Sequence, residues 1–441
     1  MKSSQIITIC ILLILLPPIV SSQSPTEALT ECPGTLTGSS TPEQIHLQIT
    51  ENPTEMSVMW ATDVRGDAFV EWSYGSTTES SQGESYCYNH DKALHMAIMS
   101  NLPLGEEITY KVGDGSTWSS DWTFTTIDPD ASNFEWIAIA DHGMSDEGQQ
   151  VTDGIIYDNS AQIVTVSGDI SYADGSQNIW DDWFNIQQPS MAKTPWVTVV
   201  GNHENEPGIG FTPYEHRFDS DKQIESEVFW YSRDFPGIHM VFISSEHSYE
   251  EGSVQYNWIK SDLEQANLDA SRESRPFIIV HCHKPMYSSN SYHGSEVELR
   301  EALEDLFVEN SVDLVIAGHD HFYERTHPVI DEQVVEKGPI HLVIGIAGRA
   351  AYEELDEPQP EWSAFRENNS YGWTKLIYDG TSRTIDFTHY RIDNSIGDQF
   401  TLQENWENIE TDEESSELGI SSINLLVCLV AIIGAARFTD Q

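Results

Sequence analysis

From Thr41 to about Thr126 the chain alternates apolar and polar residues in short pieces: QIHLQIT, MSVMWAT, AFVEWSYG, ITYKVGD and DWTFTT. Turn residues close each piece. A period of two at this spacing predicts antiparallel strands folded into a small all-β sandwich over residues 41–128. After Pro129 the texture changes. FEWIAIA, QIVTVS, WVTVV, HMVFIS, FIIVH, VDLVIA and IHLVIG are nearly continuous apolar, β-branched runs. Strands of that kind are buried on both faces, so they predict sheets covered by helices. Amphipathic stretches at Val254–Ala266 and Glu296–Glu309 supply helices between them. The predicted unit is an α/β domain over 133–400. Its sheets are mixed, because some connections are too short for a parallel crossover. No internal repeat is present.

The ends follow other patterns. Residues 1–22 hold one Lys, an apolar run from Ile6 to Val20 and then Ser21-Ser22, the layout of a secretory signal peptide. Residues 23–40, rich in Ser, Thr, Pro and Gly, read as a linker, and 401–417 as an acidic linker. The tail 418–436 is mostly apolar, with Ser421, Ser422 and Asn424 diluting its start, and is marginal against the ~20 apolar residues that span a bilayer. It reads either as a single membrane span or as a lipid-anchor signal, and is the candidate for membrane attachment.

Charge narrows the partners. The chain carries 21 Lys and Arg against 72 Asp and Glu, a net charge of −51. Such a surface repels nucleic acid and anionic membranes. Any anion-binding site must therefore supply strong local positive charge. An aromatic content of 10% and 13 Trp exclude a disordered acidic chain. Of five cysteines, Cys10 lies in the leader and Cys428 in the tail. Cys32 and Cys87 are left to pair in an oxidising compartment, with Cys282 free. Asn368-Asn369-Ser370 is a glycosylation sequon.

The chemistry lies just beyond the apolar runs. IAIA is followed by Asp141, VTVSG by Asp169 and Tyr172, VTVVG by Asn202 and His203, FIIVHC by His283, and LVIAG by His319 and His321. Open α/β sheets build their sites where the carboxyl ends of strands converge. Residues scattered over this length therefore meet in one pocket. Two carboxylates, an amide oxygen, imidazoles and a phenol, without a thiolate, suit iron, zinc or manganese. The set is too large for one tetrahedral ion and suits two ions bridged by a carboxylate, an arrangement used to hydrolyse phosphate esters. His142 and His281 each adjoin a candidate ligand and are expected to point elsewhere.

In order, ADHG (140–143), GDISY (168–172), GNHE (201–204), VHCH (280–283) and GHDH (318–321) resemble the five blocks of the purple acid phosphatases, within the metallophosphoesterase superfamily. TPEQIHLQIT and MSVMWAT resemble the fibronectin-type-III-like domain that precedes the catalytic domain in its larger members. The resemblance spans roughly 41–400 and departs from the pattern at Ala140, which stands where the family has Gly. Gly143 lies where many relatives in the superfamily place a histidine ligand, and Tyr172 would take over.

The resemblance implies Fe(III) on Asp141, Asp169, Tyr172 and His321. It implies a divalent ion (Fe, Zn or Mn) on Asp169, Asn202, His283 and His319, with Asp169 bridging. It also implies attack on small phosphate monoesters by a metal-bound hydroxide at acid pH. His203 would contact the phosphate. His293 would contact phosphate or aid the leaving group, although Tyr292 stands where many relatives have another histidine. The implied destination is the secretory pathway, ending outside the cell, at its surface, or in a lysosome or vacuole. Two other readings share these residues: a phosphodiesterase or nucleotide-processing enzyme, and a non-catalytic surface protein with a vestigial site.

Overall fold

In the computed structural model, residues 36–88, 91–218 and 228–404 are described. The N-terminal part forms two four-stranded antiparallel sheets packed face to face. One orders Glu43–Ile49, Met56–Thr62, Ala93–Met99 and Glu84–Tyr86; the other orders Thr77–Gln82, Phe69–Tyr74, Glu107–Gly113 and Trp122–Thr125. Ile45, Leu47, Val58, Trp60, Val70, Trp72, Ile108 and Tyr110 fill the space between them. The alternation in the sequence had marked only part of this set. TTESSQ at Thr77–Gln82 is polar on both faces because it is an edge strand, largely solvated, and so carries no period of two to detect.

The larger part stacks two mixed sheets between helices. In the six-stranded sheet, Trp196–Val199, Ile163–Ser167 and Asn133–Ile139 run parallel, followed by the antiparallel Gly372–Asp379, Thr384–Arg391 and Ile396–Gln403. In the seven-stranded sheet, Ile238–Phe242, Phe277–His281, Leu314–Ala317 and Ile340–Ile344 run parallel, and antiparallel strands flank them.

The continuous apolar runs are explained by this stacking. In FEWIAI, Phe134, Trp136 and Ala138 face the core between the sheets. Ile137 and Ile139 face the helices Asp146–Asp158 and Gln177–Met191. In FIIV, Phe277 and Ile279 take the inner face, while Ile278 and Val280 meet Ile259 and Leu263 of Val254–Ala266 and Leu299 and Leu303 of Val297–Glu309. Each strand thus feeds two cores, and both faces are mostly apolar. Ser145 and Ser253 begin two of the helices, their hydroxyls accepting from Gly148 N and Tyr256 N, which satisfies backbone donors that a helix start leaves open.

The sandwich sits on the α/β part through a buried polar joint. The Arg217 guanidinium donates to Gln44 (2.8 Å), Asp181 (2.9 Å) and the Tyr88 hydroxyl (2.8 Å). Gln44 in turn donates to Asp181 (2.9 Å). The last strand continues to Gln403, because Leu402 still packs into the inner core. The leader 1–22, most of the linker 23–40, the acidic segment beyond Glu404 and the tail 418–436 lie outside the described residues. Among those described, no helix is long and apolar enough to cross a membrane. Cys87 is disulfide-bonded and Cys282 is free and buried; Cys32 lies outside the described residues. The sequon residue Asn368 donates from its amide nitrogen to Glu353 O (2.9 Å).

One ionic clasp beside the inner core gives a pH prediction. His239 lies between Asp234 (2.7 Å) on the neighbouring strand and Asp262 (2.9 Å) on the helix Val254–Ala266. Burial disfavours its charged form, but the two carboxylates prevail and push its pKa up to about 9. The stabilisation is therefore complete below the ordinary histidine value near 6.5 and is lost as pH rises through about 9. The gain is about 2 kcal/mol, discounted because Asp234 is half exposed. The Tm difference between the protein and His239→Gln should be widest near pH 6 and close by pH 10. A difference that stays constant over this range would rule the clasp out.

Candidate metal centre

Both parallel strand sets present their carboxyl ends to the same edge of the stacked sheets, and each candidate residue follows one of those ends. Asp141 follows Asn133–Ile139, Asp169 and Tyr172 follow Ile163–Ser167, and Asn202 follows Trp196–Val199. From the other sheet, His283 follows Phe277–His281, and His319 and His321 follow Leu314–Ala317. The strand ends nearly touch. A Cβ on Gly318 would lie 2.6 Å from the Ala140 Cβ and 2.4 Å from Asp141 Oδ2, and one on Gly201 would lie 2.1 Å from Asp169 Oδ1. Gly168, at φ +83°, has His283 Nδ1 2.4 Å from where its Cβ would be. The glycines before the ligand residues are thus needed for the close approach of the chain to the ligands. Asp141, Asp169, Tyr172 and His319 themselves adopt left-handed backbone, with φ of 57°, 53°, 55° and 70°. Non-glycine residues hold that conformation only where the surroundings impose it.

The side chains fall into two groups. In one, the Tyr172 hydroxyl is 2.9 Å from Asp141 Oδ1 and 3.2 Å from His321 Nε2. In the other, His283 Nε2 is 3.1 Å from Asn202 Oδ1, 3.2 Å from His319 Nδ1 and 3.3 Å from Asp169 Oδ1. The groups adjoin: ligand atoms of Asp141, Asp169 and His283 all lie within 4.8 Å of one another, and all three residues are buried.

Hydrogen bonding behind the imidazoles shows what this arrangement fits. His283 Nδ1 lies 2.9 Å from Ser167 O, and His321 Nδ1 lies 2.9 Å from Ala350 O. A carbonyl only accepts, so Nδ1 carries the proton and the Nε2 lone pair faces the carboxylates, the pattern of metal-ligating histidines. His283 Nε2, Asn202 Oδ1 and Asp169 Oδ1 then converge on one spot, and a cation there, or a proton on His283 in its absence, relieves their repulsion.

The titration behaviour agrees. Burial lowers the pKa of His283, but Asp169 and Asp141 outweigh it and raise it to about 10. This is the signature of a place that demands positive charge. Burial, followed by Asp141 and Asp169, holds the Tyr172 phenol well above its ordinary value, so a phenolate there calls for a cation. The donor set therefore fits a pair of metal ions.

His203 and His293 border the same group. His203 Nδ1 is 2.6 Å from Asp174 Oδ1, and its Nε2 is 3.8 Å from Asp169 Oδ2. The His293 ring lies 4.2 Å from that of His319, with Nε2 3.3 Å from the Tyr352 hydroxyl. All nine predicted site residues are thus brought together. His142 and His281 do point elsewhere. His142 accepts from Trp183 Nε1 (3.1 Å) and meets Thr152 (3.1 Å), while His281 meets Ser167 Oγ (3.2 Å). Burial drives their pKa values down to about 4 and about 3.

Sequence reasoning missed four residues. Glu204 is buried and accepts from the backbone N–H groups of Asp169 (2.9 Å), Ile170 (2.8 Å) and Gly201 (2.8 Å), fixing two ligand loops to each other. Asp174 orients His203. Tyr352 stacks on His321 at 4.3 Å, and Arg349 lies 4.1 Å from the centre of the Tyr172 ring. Glu204 and Asp174 sit inside or beside blocks already noticed. Arg349 and Tyr352 follow IHLVIG, a parallel strand ending at the same edge, and that position was the available signal.

Fold and site together define a metallophosphoesterase, and the comparisons with known proteins agree. Residues 137–323 match the calcineurin-like phosphoesterase family, 42–126 the purple acid phosphatase N-terminal domain, and 338–399 the iron/zinc purple acid phosphatase-like protein C family. A purple acid phosphatase of Glycine max is 32% identical over 392 residues, covering 80% of this chain and 82% of the relative. A phosphoenolpyruvate phosphatase of Allium cepa is 30% identical over 375 residues, covering 76% of each. The purple acid phosphatase PPD1 from yellow lupin seeds shares the fold, with a TM-score of 0.77 at 23% identity over 83% of this chain and 75% of that one. The chain belongs to the purple acid phosphatases, phosphoric monoester hydrolases whose centres are binuclear and contain iron.

The glycine contacts give a direct test. Gly318→Ala should push Asp141 aside and lower the retained metal at least tenfold after dialysis, with unchanged far-UV circular dichroism. Full metal retention would mean that the close approach at Gly318 has no part in holding the ligands.

Proposed function

We propose that this chain hydrolyses small phosphate monoesters at acid pH through a Fe(III)–M(II) pair. Asp141, Asp169, Tyr172 and His321 hold the iron. Asp169, Asn202, His283 and His319 hold the divalent ion, which is Fe, Zn or Mn. When bound, the pair supplies the charge that neutralises a phosphate dianion and acidifies water enough to be a nucleophile at low pH. The observation that carries this reading is the Tyr172 hydroxyl placed against Asp141 Oδ1 and His321 Nε2.

The chain's own residues then divide the work. The parallel strand ends hold the ligands at fixed spacing, and Glu204 ties the Asp169 loop to the Asn202 loop. Asp174 fixes the His203 ring by Nδ1, which leaves Nε2 facing the centre, where the imidazolium form donates to a phosphate oxygen. His293, exposed at the rim with its ring against that of His319, contacts the phosphate or delivers the proton to the leaving alkoxide. Tyr292 stands beside it, its ring 4.6 Å away, and takes the place of a second imidazole. Residues 41–128 form the sandwich domain, and the catalytic domain runs from 133 to the end of the last strand at Gln403. The Cys87 disulfide and the leader-like 1–22 support a secretory route, with the tail 418–436 as the attachment to a membrane.

Metal analysis with a visible spectrum tests the core of this. The purified protein should contain iron and show a broad tyrosinate-to-iron band that Tyr172→Phe abolishes. A colourless protein holding only zinc would sink the ferric assignment. His203→Ala should lower kcat/KM for an aryl phosphate by about a hundredfold or more, and near-normal turnover would remove His203 from the reaction.

A further inference from the structure

We propose that Arg349 is a specificity-determining residue, a receptor for a second oxyanion on the substrate. The preferred esters would then carry a carboxylate or another phosphoryl group close to the phosphate being cleaved. This deepens the phosphatase reading and rests on it.

Three observations converge on Arg349. The first is its place. Its guanidinium carbon lies 4.1 Å from the centre of the Tyr172 ring, beside the group formed by Tyr172, Asp141 and His321. The segment carrying it is fixed to that group from behind: Arg349 N donates to Asp141 O (3.0 Å), Tyr352 N donates to His321 O (2.9 Å), and His321 Nδ1 donates to Ala350 O (2.9 Å). The side chain is therefore attached to a rigid element tied to the ligand residues, although it is itself exposed.

The second is that it has no partner. Among the described residues, the Arg349 guanidinium makes no hydrogen bond and no ion pair. The other described arginines donate to carboxylates, carbonyls or hydroxyls: Arg325 to Asp398, Arg391 to Glu367, Arg383 to Glu404, Arg366 to Glu357 and Arg300 to Glu332, for example. In a chain with 72 acidic residues, an unpaired guanidinium is unusual. Glu353 and Glu354 follow within five residues, yet neither pairs with it.

The third is its chemistry. Contact with the Tyr172 ring face uses none of the five N–H donors. They remain available as a planar fork that matches a carboxylate or phosphate with two parallel hydrogen bonds. With a net charge of −51, the surface repels a multiply charged ester, and that repulsion must be offset locally. Arg349 supplies the offset at the rim of the centre, where a simple alkyl or aryl phosphate has nothing to offer it.

The test compares three substrates, an aryl phosphate, phosphoenolpyruvate and inorganic pyrophosphate, on the metal-loaded protein, Arg349→Gln and Arg349→Lys. Relative to the aryl phosphate, kcat/KM for a doubly anionic substrate should fall about tenfold or more in Arg349→Gln, chiefly through KM. Arg349→Lys should restore part of the loss, since it keeps the charge without the fork. A selective loss for phosphoenolpyruvate alone assigns the second group as a carboxylate, and one for pyrophosphate alone assigns a phosphoryl group. Equal losses for all three, or none for any, overturn the proposal.

Calorimetric binding of pyrophosphate against orthophosphate provides a readout independent of turnover. The preference for pyrophosphate should shrink in Arg349→Gln or, where the turnover loss is confined to phosphoenolpyruvate, binding of phosphoenolpyruvate should weaken instead; binding of both unchanged overturns the proposal. If the unaltered protein hydrolyses none of the three, the phosphatase reading fails by itself, and the binding comparison alone decides the role of Arg349.

Discussion

Two carboxylates with almost no exposure, Asp141 and Asp169, stand close together at the junction of two hydrophobic sheets. That is the constraint the rest of the molecule answers. Buried charge of one sign is costly unless it is paired, and no lysine or arginine among the described residues forms an ion pair with either. What surrounds them instead are imidazoles, an amide oxygen and a few neutral donors: the Tyr172 hydroxyl and His319 N donate to Asp141, and His203 N donates to Asp169. Neutral donors leave most of the two buried negative charges uncompensated, so the arrangement favours positive charge at its centre. The raised pKa of His283 follows from that demand.

The fold meets the demand with stiffness. Parallel strands buried on both faces cannot slide without moving two cores, so their carboxyl ends make a firm platform. Glycines at 168, 201 and 318 let the two sheets approach there until a single methyl group would collide with a ligand. Glu204 then ties two ligand loops together through three backbone donors. The site is not a loop feature placed on a scaffold; it is the point at which both sheets end. The same edge carries the strand Ile340–Ile344, which is why Arg349 and Tyr352 arrive beside Tyr172 and His321 although they lie far from them in the chain.

The chain's acidity is managed by local pairing. Arg217 joins the N-terminal sandwich to the α/β part in a buried polar network beside Phe184, Arg325 and Arg391 reach from one sheet to Asp398 and Glu367 on the other, and His239 clasps two aspartates. Most of the described arginines thus have a structural use that can be named, and Arg349, which has no such partner, lies at the mouth of the centre.

Much of this was legible in the sequence because it depends on local rules. Apolar runs without alternation mean strands covered on both sides, and Val254–Ala266 reads as a helix from its own periodicity. A ligand residue placed just after a strand implies convergence whichever sheet holds the strand. The five blocks and their residue types were therefore sufficient to name eight of the nine candidate positions; His293, in NSYHGSE, lies outside them and came only from the resemblance. Other features were hidden because they depend on neighbours distant in sequence. The edge strand Thr77–Gln82 is polar on both faces, and only pairing with Phe69–Tyr74 makes it a strand. The strands were divided between two sheets by long-range pairing, which no local pattern records. Sequence determined the chemistry of the centre, since ligand type travels with the residue. Tertiary structure decided that Arg349 lies over Tyr172 and stays unpaired, because the position of an exposed cation is set by whichever strand ends beside it.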